Sequence, residues 1–500
     1  MKSRVCQYYY RNKDMKLSQL LTGFAHVKCD VEITHIALDS REITIGGVFF
    51  AVAGAMQHGL SYAAQVQQQG AVAIVYDPAK QGAKLVENIS GLPLICIDNL
   101  TEKLSGIAAN FYANPAQHLN IIGITGTNGK TSCSQFLAQT MDACGVIGTL
   151  GWGLYADLNS TSNTTPDAFA MQKILAHFVH QGLVNVAMEV SSHGLEQGRV
   201  NAINFSGAVF NNLSRDHLDY HGSMEAYFLT KLRLLKCKGL RFVVVNLDDA
   251  YAERVIAAIA DEVRVLTFSL QDKMHSTGSS LTARNIKYTL AGIECDVFWQ
   301  GQQAIFKVSL LGDFNLQNSL AVLAVLLETG QSLTECLAAI QLIKPVIGRM
   351  ECFSGGAGKP MVVVDYAHTP DALNKVLITL RLHCTKQLSV VFGCGGERDK
   401  GKRAEMGHIA VQLADRIIVT DDNPRFEDGE TIINQIIGGL KMNKVTVISN
   451  RKAAIEKSIL MSSAQDIVLV AGKGHEDYQE LKGVKYPFSD REIVREILAA

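Results

Sequence analysis

The chain has 500 residues, room for roughly two to four domains, with 47% hydrophobic and 19% charged residues and a formal net charge of −1. That balance excludes a general polybasic surface for nucleic acid or anionic membrane, and it is the composition of an ordinary globular protein. Eleven scattered cysteines with no C-x-x-C pair argue against a disulfide framework or a zinc site, so reduced thiols and a cytoplasmic location are expected.

The opening stretch MKSRVCQYYYRNKDMKLSQLL carries positive charge but neither an apolar core nor a small-residue cleavage pattern, so it does not read as a secretory signal. The periodic pattern begins at Met15. Residues 1–14 read as a loose extension, with Met1 and Met15 both open as the start. The longest apolar run, LAVLAVLL from Leu320, suits a buried helix and is too short to span a membrane.

Three α/β blocks follow in order. The first, residues 1–99, holds the strand-like runs GVFFAVAG and GAVAIVYDP around a helical LSYAAQVQQQG. The second, 100–346, opens with the helix TEKLSGIAANFY and a break at Asn114-Pro115. It continues through NIIGITG, VNVAMEVSS, FSGAVFNNLS, RFVVVNLDD and VRVLTFS to a long helix, NLQNSLAVLAVLLETG. Each apolar run ends in Gly, Ser, Asn or Asp, which suits parallel strands buried on both faces. The third block, 347–500, alternates MVVVDYAHTP, QLSVVFGCGG, DRIIVTDDNP, KVTVISN and DIVLVAGKGHED with helical stretches, a second doubly wound pattern. The expected class is α/β: a small N-terminal domain, a central phosphate-loop ATPase-type parallel sheet and a C-terminal Rossmann-like sheet. Ligands bind such sheets where the strands end.

The sharpest local signal is NIIGITGTNGKTS. Gly123, Gly126 and Gly129 punctuate a loop after a strand, and Lys130-Thr131 open a helix. Glycines let backbone N–H groups face phosphate oxygens, the helix N-terminus favours anions, Lys130 neutralises phosphates and the Thr131 hydroxyl suits Mg²⁺. The spacing is G-x-x-G-x-x-G-K-T, a variant of the usual phosphate loop. A glycine-rich turn before a helix is the bland alternative, but strand, glycines, lysine and hydroxyl together favour ATP. FGCGGERDKGKR and VAGKGHED lack the Ser or Thr after lysine and do not read as further phosphate loops.

Glu189 ends one apolar run, and Asp216, His217, Asp219 and His221 fill the loop after the next. The pair His217 and His221 is not the zinc helix H-E-x-x-H, because Leu218 follows His217. Carboxylate and imidazole beside a phosphate loop suit Mg²⁺ better.

GITGTNGKTS, MEVSSHGL, NLSRDHLDYHG, GDFNLQN, GRME, VVDYAHTPDAL, FGCGGERDKGKR, TDDNPR and AGKGHEDYQ, in that order, resemble the Mur ligase family from about Leu17 onward. Within it they are most similar to the members that add diaminopimelate. The resemblance implies an ATP-dependent ligase acting on UDP-N-acetylmuramoyl-L-alanyl-D-glutamate and meso-diaminopimelate, with two Mg²⁺ ions and no nucleic acid or membrane partner, in a monomer.

The same resemblance implies residue roles. Gly126, Thr127, Asn128, Gly129, Lys130, Thr131 and Ser132 would hold the triphosphate, and Asn315, Arg349 and Asp365 would reach the rest of the nucleotide. Thr131 and Glu189 would ligate one Mg²⁺ and His217 the second, oriented by Lys231 as its carbamate (N6-carboxylysine); Lys130, Glu189, His217 and Lys231 form the implied catalytic set. Leu38, Ser40, Asn163, Thr164, Thr165, Ser191, Gln197 and Arg199 would bind the UDP-muramyl dipeptide. Ala55 and Met56 stand where relatives often have His-Gln, which leaves the uracil contacts there open. Arg398, Asp422, Asn423, Pro424, Arg425, Gly472 and Glu476 would bind diaminopimelate, Arg425 reading its distal carboxylate and Glu476 its distal ammonium. The alternatives are the same ligase using L-lysine, a folylpolyglutamate synthetase, and a phosphate-loop NTPase switch without ligase activity.

Overall fold

A computed structural model of the chain describes residues 15–54, 57–161, 163–276, 278–289, 292–356, 358–440 and 444–499. The expected loose extension at 1–14 and the Ala55-Met56 pair lie outside them. The chain divides into two compact units. One takes the residues up to Phe268 with Met274–Ser280 and Ala324–Thr329; the other takes Ser269–Lys273, Leu281–Leu323 and the residues from Gly330 onward.

In the first unit, strands His35–Ala37, Gly47–Ala51, Ala73–Tyr76 and Leu94–Cys96 pair in parallel in sequence order. The period of two along a strand explains the burial of GVFFA: Val48 and Phe50 enter one apolar cluster, Phe49 and Ala51 another on the opposite face. The helix Leu100–Phe111 follows, burying Leu100, Leu104, Ile107 and Ala108 at helical spacing. Asn114 adopts a left-handed conformation before Pro115, which opens a short 3₁₀ turn and accounts for the expected break.

The larger sheet of this unit runs Arg264–Ser269, Phe242–Asn246, Phe205–Phe210, Asn120–Thr125, Asn185–Glu189 and Cys144–Gly148, all parallel, then Gly151–Leu154 and Asp157–Asn159, antiparallel. Ile124 pairs with Glu189 and Thr125 with Phe210. That register brings the loops after three strands to one sheet edge.

The strand Ser279–Thr289, in the second unit from Leu281 onward, pairs antiparallel with Gly292–Trp299, which in turn pairs antiparallel with Gln302–Val308. The sequence pattern does not announce them, because they lack the continuous apolar run ending in a polar cluster that marks the parallel strands. Beyond the helix Asp313–Glu328 comes a six-stranded sheet in the order Glu351–Ser354, Met361–Asp365, Ile467–Ala471, Leu388–Phe392, Arg416–Val419 and Val445–Val447. Its first strand is antiparallel to the second and the others are parallel. A hairpin, Tyr478–Leu481 with Val484–Pro487, follows the last central strand. The α/β class with parallel sheets is as expected. Among the described residues no helix is long and apolar enough to cross a membrane.

Candidate active site

The phosphate loop leaves the strand at Thr125 and turns at Gly126 and Gly129, with φ of +146° and +84°, conformations that a side chain would strain. Its backbone is tied to the neighbouring strand's loop. The Thr127 N–H donates to the Asn212 carbonyl at 2.9 Å, the Asn128 N–H to Asn212 Oδ1 at 2.8 Å, and the Thr127 hydroxyl to the Ser214 carbonyl at 3.1 Å. The helix Lys130–Thr140 begins directly after Gly129, with Thr131 and Ser132 buried. Lys130 Nζ folds back on its own loop, donating to the carbonyls of Gly126 at 2.9 Å and Thr127 at 3.0 Å.

Glu189 is almost wholly buried at the end of its strand. Its Oε2 accepts from the hydroxyls of Thr131 at 3.1 Å and Thr149 at 3.0 Å, and its Oε1 from the Thr149 N–H at 2.9 Å. Burial pushes its carboxyl above the ordinary range, while Lys130 and the Thr149 and Thr131 hydrogen bonds oppose that shift. Thr149, in the turn after Cys144–Gly148, is absent from the sequence reading. The signal was there in another polar residue at a strand end.

Lys231 sits on the helix Met224–Leu232 with 2% of its surface exposed. Its Nζ donates to the Gly126 carbonyl at 3.0 Å and contacts Thr125 Oγ1 at 3.4 Å, 4.7 Å from the centre of the Tyr227 ring. Burial, then the Lys130 charge, drives its pKa well below the usual lysine value, which favours the neutral amine. His217 takes a left-handed φ of +53° and places Nε2 3.4 Å from Asp216 Oδ2, its ring 4.9 Å from that of His193.

The residues expected at the muramyl-peptide end gather on the same unit. Arg199 donates through Nε and Nη2 to Gln197 Oε1 at 3.0 and 2.6 Å, and through Nη1 to the Thr165 carbonyl at 2.5 Å. The Thr165 hydroxyl donates to the Glu189 carbonyl and accepts from the Ser191 N–H, while Ser191 Oγ caps the next short helix. Thr164 Oγ1 is 3.0 Å from Thr149 Oγ1, and Asn163 is exposed. Leu38 is half-buried and Ser40 buried, its hydroxyl 3.4 Å from Gln65 Oε1.

In the second unit, Asn315 is buried and its amide donates to the Leu311 carbonyl at 2.9 Å. Asp365 accepts from the N–H groups of Met350 and Ala367, and Arg349 stacks 4.4 Å from the Tyr366 ring centre. The strand carrying IIV ends at Val419 in the turn Asp421–Arg425. Arg425 has a φ of +54°, donates through Nη1 to the Gly396 carbonyl at 2.7 Å, and lies 3.4 Å from Glu480 through Nε. A side chain at Gly396 would strike the Pro424 carbonyl, so only glycine lets these two loops interlock. Glu476 and Asn423 are joined at 2.9 Å, and Gly472 is tight against Asp422. Arg398 is exposed beside this group.

Among the described residues no cluster of three or more His, Cys, Asp or Glu side chains could hold a metal by itself. One buried carboxylate bonded to a threonine hydroxyl fits Mg²⁺ that takes its other ligands from phosphate and water.

A glycine-rich loop, a buried acid and a buried lysine on one sheet edge define the class as a phosphate-loop α/β enzyme. Three family models match in order: "Mur ligase family, catalytic domain" at 32–112, "Mur ligase middle domain" at 124–326, and "Mur ligase, glutamate ligase domain" at 348–474. The chain is 46% identical over 491 residues to UDP-N-acetylmuramoyl-L-alanyl-D-glutamate--2,6-diaminopimelate ligase of Pseudomonas aeruginosa, covering 97% of this chain and 98% of that one. The enzyme of the same name from Pseudomonas putida is 45% identical, with 97% and 98% covered. A solved structure of a ligase of that name superposes with a TM-score of 0.70 at 34% identity, covering 97% of this chain and 99% of that one. The chain belongs to the Mur ligase family of ATP-dependent amide-forming ligases.

Proposed function

We propose that the chain joins meso-2,6-diaminopimelate to the D-glutamate γ-carboxylate of UDP-N-acetylmuramoyl-L-alanyl-D-glutamate, using ATP, in peptidoglycan synthesis. The near-full-length identity to ligases of that name carries the reading. The arginine-bearing turn Asp422–Arg425 supports the choice of amine, because diaminopimelate differs from lysine by a distal carboxylate that a guanidinium can pair with.

A carboxylate is a poor electrophile. Transfer of the γ-phosphoryl group to it yields ADP and an acyl phosphate. The amine then attacks the acyl carbon, and the tetrahedral intermediate collapses with loss of phosphate. The protein's share is positioning and charge compensation. Gly126 to Ser132 cradle the triphosphate and Lys130 offsets its charge. Arg199, held by Gln197, receives the peptide carboxylate end beside Ser191. Thr131, Glu189, His217 and a carbamoylated Lys231 would hold Mg²⁺, which would supply charge neutralisation for the reacting phosphate and carboxylate. Asn315, Arg349 and Asp365 serve the nucleotide. Arg398, Asp422, Asn423, Pro424, Arg425, Gly472 and Glu476 serve the amine, and Leu38, Ser40, Asn163, Thr164 and Thr165 the UDP-muramyl end. The domain boundaries belonging to this reading are 1–99, 100–346 and 347–500, in a cytoplasmic monomer.

The test is phosphate release from ATP with and without the muramyl dipeptide and each amine. Turnover is expected only when dipeptide and meso-diaminopimelate are both present. A preference for L-lysine would reassign the amine, and turnover indifferent to both co-substrates would identify an NTPase switch.

A further inference from the structure

Two buried cations tie the turn 421–425 to the segment 471–477. Arg451 is fully buried against Asp490 at 2.7 Å and donates to the carbonyls of Asp421 at 3.3 Å and Ala471 at 2.9 Å. Apart from Asp490, it grips main chain. Lys473, also fully buried, grips side chains: its Nζ donates to Asn423 Oδ1 at 2.9 Å and to Glu476 Oε2 at 2.8 Å. The Asn423 amide donates to the same Oε2 at 2.9 Å, and Asn423 Oδ1 also takes the Glu480 N–H at 2.9 Å. Asn423 therefore has its amide orientation dictated from both ends. Glu476, with 17% of its side chain exposed, already has a counter-ion.

We propose that Lys473 is a specificity-determining positioning residue of the amine pocket, which it builds by locking Asn423 and Glu476 and by compensating the Glu476 charge. The proposal rests on the reading of these turns as the diaminopimelate site. Both donors converge on Oε2, so Oε1 is the oxygen left to a substrate ammonium. With its charge balanced, the pocket favours a zwitterion of zero net charge, such as diaminopimelate. Without Lys473 the pocket is one charge more negative and favours a net cation such as lysine. A merely structural lysine has no effect on that choice.

The experiment compares the whole enzyme with Lys473→Met, which keeps the aliphatic length, and Lys473→Gln, which keeps a donor but not the charge. KM is measured for meso-diaminopimelate, L-lysine and ATP, and acyl phosphate is trapped with hydroxylamine in the absence of amine. For Lys473→Met the expected result is a rise in KM for diaminopimelate of about tenfold or more, with KM for ATP and acyl-phosphate trapping within about twofold of wild type. In both variants the ratio of kcat/KM for diaminopimelate to that for lysine falls, so Lys473→Gln still decides the matter if Lys473→Met does not fold. An unchanged ratio in folded variants of an enzyme that uses diaminopimelate overturns the proposal. Absence of diaminopimelate turnover in the wild type instead overturns the underlying reading, and the proposal with it.

Discussion

The Thr131 hydroxyl donates to Glu189 Oε2 at 3.1 Å, so the residue after the phosphate-loop lysine and the acid ending the adjacent strand are joined by one hydrogen bond. Strand register makes this possible, because Glu189 is the partner of Ile124, two residues before Gly126. Gly148 closes the other side. A Cβ there would lie 2.1 Å from Glu189 Oε1 and 2.6 Å from its Cδ, so the carboxylate has to move.

Gly148→Ala is therefore expected to reduce ligase turnover by about a hundredfold, as catalytic groups displaced by an ångström do, with a small change in Tm. Steady-state kinetics and a thermal melt check it. Wild-type turnover would mean that the Glu189 position is not critical.

Lys231→Ala is expected to lose about a hundredfold or more in kcat and to recover part of it with a short-chain carboxylic acid that replaces the carbamate. Activity is assayed across acetate and propionate concentrations. A variant equally inactive at every concentration would leave Lys231 a packing residue bound to the Gly126 carbonyl.

Arg425→Ala is expected to raise KM for meso-diaminopimelate at least about tenfold while barely changing any use of lysine, which has no distal carboxylate to lose. Competition between the two amines reads this directly. Equal effects on both would mean that Arg425 only holds the Gly396 carbonyl.

His475 is pushed down to about 4 from an ordinary value near 6.5, by burial first and then by the charge of Arg349, with Asp477 opposing and Arg491 and His368 adding to the depression. The unfolded chain takes up this proton near pH 6.5 and the folded chain only near 4. The stability attached to a neutral His475 is thus intact above pH 6.5, falls as the pH drops toward 4, and then levels, a loss of about 3 kcal/mol at most. Urea unfolding of wild type and His475→Gln from pH 7.5 to 4 checks this; the difference between them is expected to change only in that window.

Much of the first unit's site was legible because its residues end apolar runs. Gly126 to Thr131, Glu189 and the loop holding His217 all lie at or just beyond the ends of the largely apolar strands NIIGIT, NVAME and FSGAVF, where a polar cluster stands out. Thr149 obeys the same rule but follows a strand with two glycines, CGVIG, whose weaker apolar signal hid it. The strands between Ser279 and Val308 escaped for a different reason: antiparallel pairing leaves one face polar, and the alternation is broken by a register shift between Arg284 and Lys287. Lys473 could not be read at all. A lysine between glycines suggests solvent, and its burial depends on Asn423, fifty residues earlier in the chain, supplying an acceptor. Gln197 and Arg199 are expected at the muramyl-peptide end by resemblance alone, and the resemblance says nothing of the hydrogen bonds that join them to each other and Arg199 to the Thr165 carbonyl.

Lys130 bonds to two carbonyls of its own loop, and this makes the loop its own competitor. On the proposed reading, a phosphate oxygen that takes the ammonium competes with those carbonyls for its three N–H donors. The free energy of that contact is then a difference between two sets of hydrogen bonds rather than a sum of new ones. A doubly charged terminal phosphate wins the exchange easily; a neutral nucleoside offers nothing to exchange. On that reading, the loop's own carbonyls set the threshold that a ligand's phosphate has to exceed.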